Sequence, residues 1–356
     1  MVYSASFIYA QERTGDGFTY IKKQVLFAGI GFGFLFLTSR INYRKWADWG
    51  YVVLGIATFL LVLVMIPGLG IKAGGAQRWI KLGFLSFQPG ELAKFAIIFF
   101  VARQLERKSD RLNSIVAGML SHFLVPLPAL LLLLAQPDFG TTVMIALSIF
   151  ALLHLAGVPR KYLLTSLLLI AIAASWLALG SSYRRARLLT FLDPWQDPAG
   201  KGFQIIQSFI GLYNGNFWGV GLGNGKEKLF YLPEAHNDFI MAVIGEELGF
   251  LGVLGVVAAY VFFIHRGFKI GWNCYKQHRD KFGMLLACGI TLALGFQALL
   301  NIAVVLGLVP TKGLNLPFIS YGGSSLLVDL FAVGVLLSVG RGPVNYQQKK
   351  LEKHQV

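Results

Sequence analysis

The fold class this sequence predicts is an all-α integral membrane protein, a polytopic bundle of about ten transmembrane helices. Three observations carry that reading. Of 356 residues, 55% are hydrophobic and only 14% charged. The mean hydropathy is +0.62, whereas a soluble chain of this length would need far more charge to cover the surface of its domains. Several apolar runs are long enough to cross a hydrocarbon core of roughly 30 Å at about 1.5 Å per helical residue.

Taken in order, the opening "MVYSASFIYA" is apolar but too short to span. It lacks the basic n-region and small-residue cleavage site of a signal peptide, and reads as the end of a truncated first helix. Complete spans follow at 24–39, 46–66, 89–102 (opened by Pro89), 115–135, 139–158 and 162–180. After a long connection, 181–237, come spans at 239–264, 282–308 and 323–339. The whole chain, 1–356, reads as one membrane domain with 181–237 as a large loop between its seventh and eighth helices. Cys274 and Cys288 imply no disulfide framework.

Basic residues set the orientation, because Lys and Arg in short loops are retained on the cytoplasmic side. One alternate set of connections, together with the C-terminal tail, holds eighteen of them, including Arg40, Arg44, Arg107, Arg160, Lys281 and Arg341. The opposite set, its long loop set aside, holds seven: Arg13, Lys22, Lys23, Lys72, Arg78, Lys81 and Lys312. The long loop is therefore extracytoplasmic. No ATP is available there, so bond formation needs a substrate activated beforehand. Topology also explains most of the net charge of +15 and removes the case for nucleic-acid binding. Arg184, Arg185, Arg187, Lys201, Lys226 and Lys228 in the outer loop are not explained by topology, and suit an anionic headgroup or pyrophosphate.

Ionisable residues gather at "YLPEAHNDFIMAVIGEELGFLG", residues 231–252. Asp238 precedes an apolar helix, where an aspartate serves as a cap or as a general base at the water–lipid boundary. Glu234 and His236 add potential ligands, but a lone imidazole does not match a zinc motif. A magnesium ion shared with a substrate pyrophosphate needs fewer protein ligands. Glu246 and Glu247 fall deeper and on different helical faces from Asp238, and structural pairing accounts for both.

In "SFQPGELAKF" Glu91 and Lys94 share one helix face, either as an intramembrane ion pair or as the charged wall of a substrate cavity. "GVGLGNGKE", 219–227, fails the phosphate-loop templates and reads as a turn whose backbone amides suit headgroup contact. The preceding "FQIIQSFIGLYNGNFWG" reads as an amphipathic or re-entrant segment.

Five ordered stretches, "QPGELAKF", "QPDFGTTV", "YRRARLLTFLDPWQDPAGKGFQIIQS", "GVGLGNGKEKLFYLPEAHNDFIMAVIGEELG" and "PTKGLNLPFISYGGSSLL", give the chain a resemblance over essentially its whole length. It resembles the SEDS family of peptidoglycan polymerases, the FtsW/RodA/SpoVE type. "PTKG" and "IGEELG" are more similar to the division and sporulation branch, that of FtsW, than to the elongation branch of RodA. The resemblance implies polymerisation of lipid II into glycan strands on the outer face of the bacterial cytoplasmic membrane, at the division septum. Undecaprenyl pyrophosphate leaves, and the implied partners are a class B penicillin-binding transpeptidase and membrane proteins of the divisome.

Asp238 matches the family's essential loop aspartate, Glu91 and Lys94 its charged pair on the fourth helix, and Arg184 and Arg187 its basic outer-loop positions. Lys312 and Ser320 to Ser325 fall in its last outer motif. The implied mechanism has Asp238 deprotonating the acceptor 4-hydroxyl, with Arg184, Arg187 and Lys201, with or without Mg²⁺, stabilising the pyrophosphate. Two features depart from the family: Asn237 stands where threonine is usual, and the chain starts late in the first helix. A flippase or transporter of lipid-linked precursors, and a scaffold that recruits a transpeptidase, are the rival readings from other classes, and the elongation-type polymerase is the alternative within the family.

Overall fold

Intramembrane helices satisfy every backbone group internally, which is why the apolar runs must become helices. The computed structural model describes residues 1–73, 76–82, 85–179, 191–200, 202–311 and 313–342. Helices α1 (Val2–Thr14), α2 (Thr19–Arg40), α3 (Arg44–Met65) and α4 (Pro89–Arg107) form the first half with α5 (Ser121–Leu124), α6 (Leu127–Ala135) and α7 (Phe139–Ala156). The second half is α8 (Arg160–Leu179), α9 (Phe203–Gly215), α10 (Ile240–His278), α11 (Lys281–Val305) and α12 (Gly323–Arg341). Among the described residues, six helices have membrane length and apolarity, and a bent pair makes a seventh. The chain is a multi-pass membrane protein.

Three local departures from the expected spans have physical causes. The run 115–135 is bent by 52° between residues 124 and 127. Pro126 and Pro128 stand at this break, where proline removes an amide donor and clashes with the preceding turn. The connection after α3 carries an antiparallel sheet of β1 (Gly70–Ala73), β2 (Ala76–Leu82) and β3 (Leu85–Phe87). Ile71 opposes Trp79 and Ile80 opposes Phe87 in its register. Arg78 ties this sheet to α7's entrance by donating to the carbonyls of Gln136 and Pro137, at 3.1 and 2.6 Å.

The third departure lies inside the expected span 239–264. Helix α10 breaks at Gly249, whose φ of 65° and ψ of −164° are not helical. A break strands backbone groups on both of its sides, and the preceding outer loop supplies partners for four of them. Val220 and Gly221 donate to the carbonyls of Glu246 and Glu247, while Phe250 and Leu251 donate to those of Asn216 and Phe217. A Cβ on Gly249 would stand 2.3 Å from Gly219 N and 2.6 Å from Phe217 O. Gly249→Ala is therefore expected to lower the melting temperature in detergent: a side chain in this backbone region, which essentially only glycine adopts, costs ~1–3 kcal/mol before any clash. Gly255→Ala, with open space around the added methyl, is the control expected to leave it unchanged.

The described residues pack as two compact units. One comprises Met1–Leu26, Leu164–Phe262 and Gln297–Gly322. Its core gathers Phe239 to Ile244 with Ala298, Val304, Val305 and Leu316, so the start of α10 is buried. The other comprises Phe27–Leu163, Phe263–Phe296 and Gly323–Val356. There α2 and α12 approach closely at Gly334, where an added Cβ would meet Leu35 O at 2.5 Å, and Thr38 donates to Phe331 O at 3.1 Å. Small residues and such interhelical hydrogen bonds replace the hydrophobic effect as packing forces in a bilayer. In this unit Arg44 bridges to Asp280 at 2.7 Å and to Glu106 at 3.7 Å. The start of α3, the end of α4 and the start of α11 thus share one side, as the alternation of basic connections requires.

Candidate active site

Asp238 lies in a tight turn one residue before the last non-helical position of α10's entrance. The turn reverses at Glu234, whose φ is 56°, and Glu234 O accepts from the amides of Asn237 at 2.9 Å and Phe239 at 3.5 Å. Ala235 and His236 before the aspartate are buried, and so are Phe239 and Ile240 after it. Asp238 itself is half-buried. Folding therefore anchors both flanks and leaves the aspartate at the rim.

Its backbone is clamped from α11. Asn301, 1% exposed, donates through Nδ2 to both Asp238 O and Leu314 O at 2.7 Å. Ser320 Oγ donates to Asn237 O at 2.6 Å and accepts from Leu316 N at 2.7 Å. Tyr321 N donates to His236 O at 2.9 Å, and Gln24 donates to Ser320 O at 3.1 Å. These bonds lay the segment 313–322 along residues 236–238. A Cβ on Gly313 would stand 3.4 Å from Asp238 Oδ2, so the backbone at Gly313 reaches the carboxylate itself. A carboxylate whose backbone is fixed by neutral amides and hydroxyls is pre-positioned to take a proton from a hydroxyl at the rim.

Among the described residues no three His, Cys, Asp or Glu side chains converge as a metal site. His236 packs among the rings of Tyr9, Tyr20 and Tyr321 at centroid distances of 4.9, 5.2 and 5.9 Å. Burial holds its imidazole below the usual histidine range. Glu234 instead accepts from Asn237 Nδ2 at 2.5 Å.

Glu246 and Glu247 have structural partners. Glu246 accepts from the amides of Lys226 at 2.7 Å and Glu227 at 3.2 Å. Glu247 takes Lys228 Nζ at 2.6 Å and Ser4 Oγ at 2.6 Å. This corrects two readings of the outer loop. The Val220, Gly221, Lys226 and Glu227 amides serve the break in α10 and the Glu246 carboxylate, and the Lys228 ammonium is neutralised internally. Glu227, 3% exposed, is pushed up to about 7 by burial and then by the charge of Glu246.

The second constellation belongs to the other unit. Lys94, fully buried in α4, reaches Glu91 at 2.8 Å and Asp329 of α12 at 3.0 Å. Ser325 donates to Asp329 Oδ2 at 3.3 Å, which adds the first turn of α12 to the network. Gly90 beside Glu91 packs against Leu133 and Asp138, and Asp138 caps α7 through Thr141 N. Three buried ionisable groups at the head of a transmembrane helix are costly without mutual pairing.

Arg184, Arg187, Lys201 and Lys312 lie outside the described residues. Asp329 and Asn301 were missed in the sequence. For Asp329 a signal existed, since any carboxylate inside an apolar span asks for a partner. A lone asparagine such as Asn301 gives none.

Residues 1–343 match the family model described as cell cycle protein, FtsW/RodA/SpoVE. A protein of Geobacter sulfurreducens named probable peptidoglycan glycosyltransferase FtsW is 44% identical over 339 residues, covering 95% of this chain and 90% of that protein. A solved structure described as structural coordination of polymerization and crosslinking by a peptidoglycan synthase complex contains a similar chain. Its TM-score is 0.77 at 32% identity, covering 96% of this chain and 94% of the other. The rod shape determining protein RodA of Thermus thermophilus gives 0.67 at 28% identity, with 96% and 93% covered.

Proposed function

The chain belongs to the FtsW/RodA/SpoVE family of cell cycle proteins, and from that premise we propose that Asp238 is the general base of its polymerising reaction. The protein is a peptidoglycan glycosyltransferase of the FtsW type. Its substrate in this reading is lipid II, used on the extracytoplasmic face, where a pyrophosphate leaving group supplies the activation that ATP cannot. Asp238 accepts the proton of the acceptor's N-acetylglucosamine 4-hydroxyl as that oxygen forms a bond to the donor's anomeric carbon. The bond from that carbon to the pyrophosphate oxygen breaks, and undecaprenyl pyrophosphate departs.

One observation carries the assignment. A half-buried carboxylate is held by its backbone between Asn301 and Ser320 and stands beside Gly313, so two stretches separated in sequence by α10 and α11 meet at one proton acceptor. Pre-positioning of a base is worth about 10²- to 10⁴-fold.

Arg184 and Arg187 are assigned to the pyrophosphate on the family resemblance, Lys201 joins them as a further cation of the same loop, and Lys312 is assigned to substrate binding by its place in the last outer motif. Glu91 and Lys94 are assigned to substrate binding, a role supported by the cost of burying charge that packing alone does not require. A divalent ion such as Mg²⁺ fits the donor set, because one carboxylate plus substrate phosphates commonly suffices. When bound, it would neutralise phosphate charge, with Asp238 the carboxylate within reach of the loop at Gly313.

A class B transpeptidase is the proposed partner, with the divisome membrane proteins and the septal cytoplasmic membrane as setting. The likeness to a chain of a peptidoglycan synthase complex supports this pairing. Incubating the purified full chain and its transpeptidase with lipid II in proteoliposomes tests the function. Glycan strands of increasing length are the expected product; translocated lipid II without polymer would move the assignment to a transporter.

A further inference from the structure

The unit that holds Lys94 contains, at the opposite end of α4, a cavity of about 280 Å³ that the polymerase reaction does not use. Leu105 and Leu285 line it and are 1% and 2% exposed, while Trp272 and Lys281 line it and are open to the outside. Leu105 follows Lys94 by eleven residues, about 16 Å along the helix at 1.5 Å per residue, so the cavity is separate from the Glu91–Lys94–Asp329 cluster.

The segments around its mouth are basic. Lys108 and Arg111 flank Ser109, Arg160 and Lys161 follow Ala156, and Lys276 and Arg279 follow Tyr275. The acids nearby are largely committed: Asp280 is 2% exposed and bound to Tyr43 and Arg44, and Glu106 accepts from Arg103. Asp110 alone is exposed on the short turn Ser109–Arg111. Trp272 and Tyr275 lie on the basic end of α10, past Arg266 and Lys269, and line the mouth beside Lys281, the first residue of α11; aromatic side chains take such places at the membrane–water boundary.

An apolar floor, an aromatic rim and a surplus of cations at headgroup level together describe a site for a lipid of negative charge. We propose that this cavity binds an anionic phospholipid of the leaflet on the basic side, one acyl chain lying against Leu155 and Met284 and the headgroup phosphate meeting Lys281. A lipid here joins the ends of α4, α7, α10 and α11.

The test uses the full chain, delipidated in detergent and titrated with dioleoyl-phosphatidylglycerol or dioleoyl-phosphatidylcholine, with bound lipid read by native mass spectrometry. The expected result is half-saturation by phosphatidylglycerol at a concentration at least tenfold below that of phosphatidylcholine. Lys281→Ala, which removes the cation, and Met284→Trp, which fills the cavity, should each raise it to the phosphatidylcholine value. Ala156→Trp, at a partly exposed lining position, is the second filling variant, used if Met284→Trp no longer melts cooperatively. Equal affinity for the two lipids overturns the site. So does loss through Lys281→Ala with none through a folded filling variant, which would reduce the effect to surface charge. Loss through filling with none through Lys281→Ala overturns the headgroup contact and with it the proposal.

Discussion

Asp238→Asn is expected to reduce the rate of glycan strand synthesis from lipid II by at least 10²-fold while leaving the chain folded. Loss of a positioned general base removes about 10²- to 10⁴-fold, or about 3–5 kcal/mol at 1.36 kcal/mol per decade. Asparagine is close to isosteric with aspartate and cannot accept the hydroxyl proton. The bonds that fix this position are spared by the substitution: Asn301 donates to the main-chain oxygen of residue 238, and Ser320 to that of Asn237. Thermal unfolding should therefore match the wild type.

Steady-state polymer formation and melting in the same detergent measure the two effects separately. A folded variant within threefold of the wild-type rate would remove Asp238 from the chemistry. That outcome would favour the scaffold reading, in which the aspartate is silent and only partner contacts matter.

How far such a site is legible in sequence depends on where its partners lie. The spans are visible because each is a long local run, and the carboxylate at the mouth of α10 is visible because charge beside an apolar stretch is conspicuous. The break at Gly249 was not, because "EELGFLG" looks like ordinary helix until Asn216 to Gly221 arrive to accept and donate the stranded hydrogen bonds. The different helical faces read for Asp238, Glu246 and Glu247 presume a helix from 238 onward, whereas the helix starts at Ile240. The sheet at 70–87 announced itself only through Gly74-Gly75 between two short runs, a weak hairpin signal beside strong helical neighbours. The bend after Val125 was readable in Pro126 and Pro128. Asn301 was not readable at all, because its importance lies in two carbonyls, at 238 and 314, that only folding brings to it.

Lys94→Met should have the largest effect on stability, a loss of about 3–5 kcal/mol, the usual result of removing one partner from a buried ion pair. Lys94 is fully buried and faces two carboxylates, Glu91 at 7% exposure and Asp329 at 0%. Methionine preserves most of the side-chain volume, so the loss reports charge rather than a cavity. Two carboxylates left without a cation must be ionised at great cost or protonated, and Ser325 alone cannot compensate. Removing all three charges together, as Glu91→Gln, Lys94→Met and Asp329→Asn, separates structure from function. Replacing a whole buried network by neutral groups is often close to neutral for stability, so the triple variant is expected to melt near the wild type. Its lipid II polymerisation is nevertheless expected to remain at least tenfold reduced, because substrate binding needs the charge itself. Full recovery of activity along with stability would make the triad a structural clamp and withdraw Glu91 and Lys94 from the binding site.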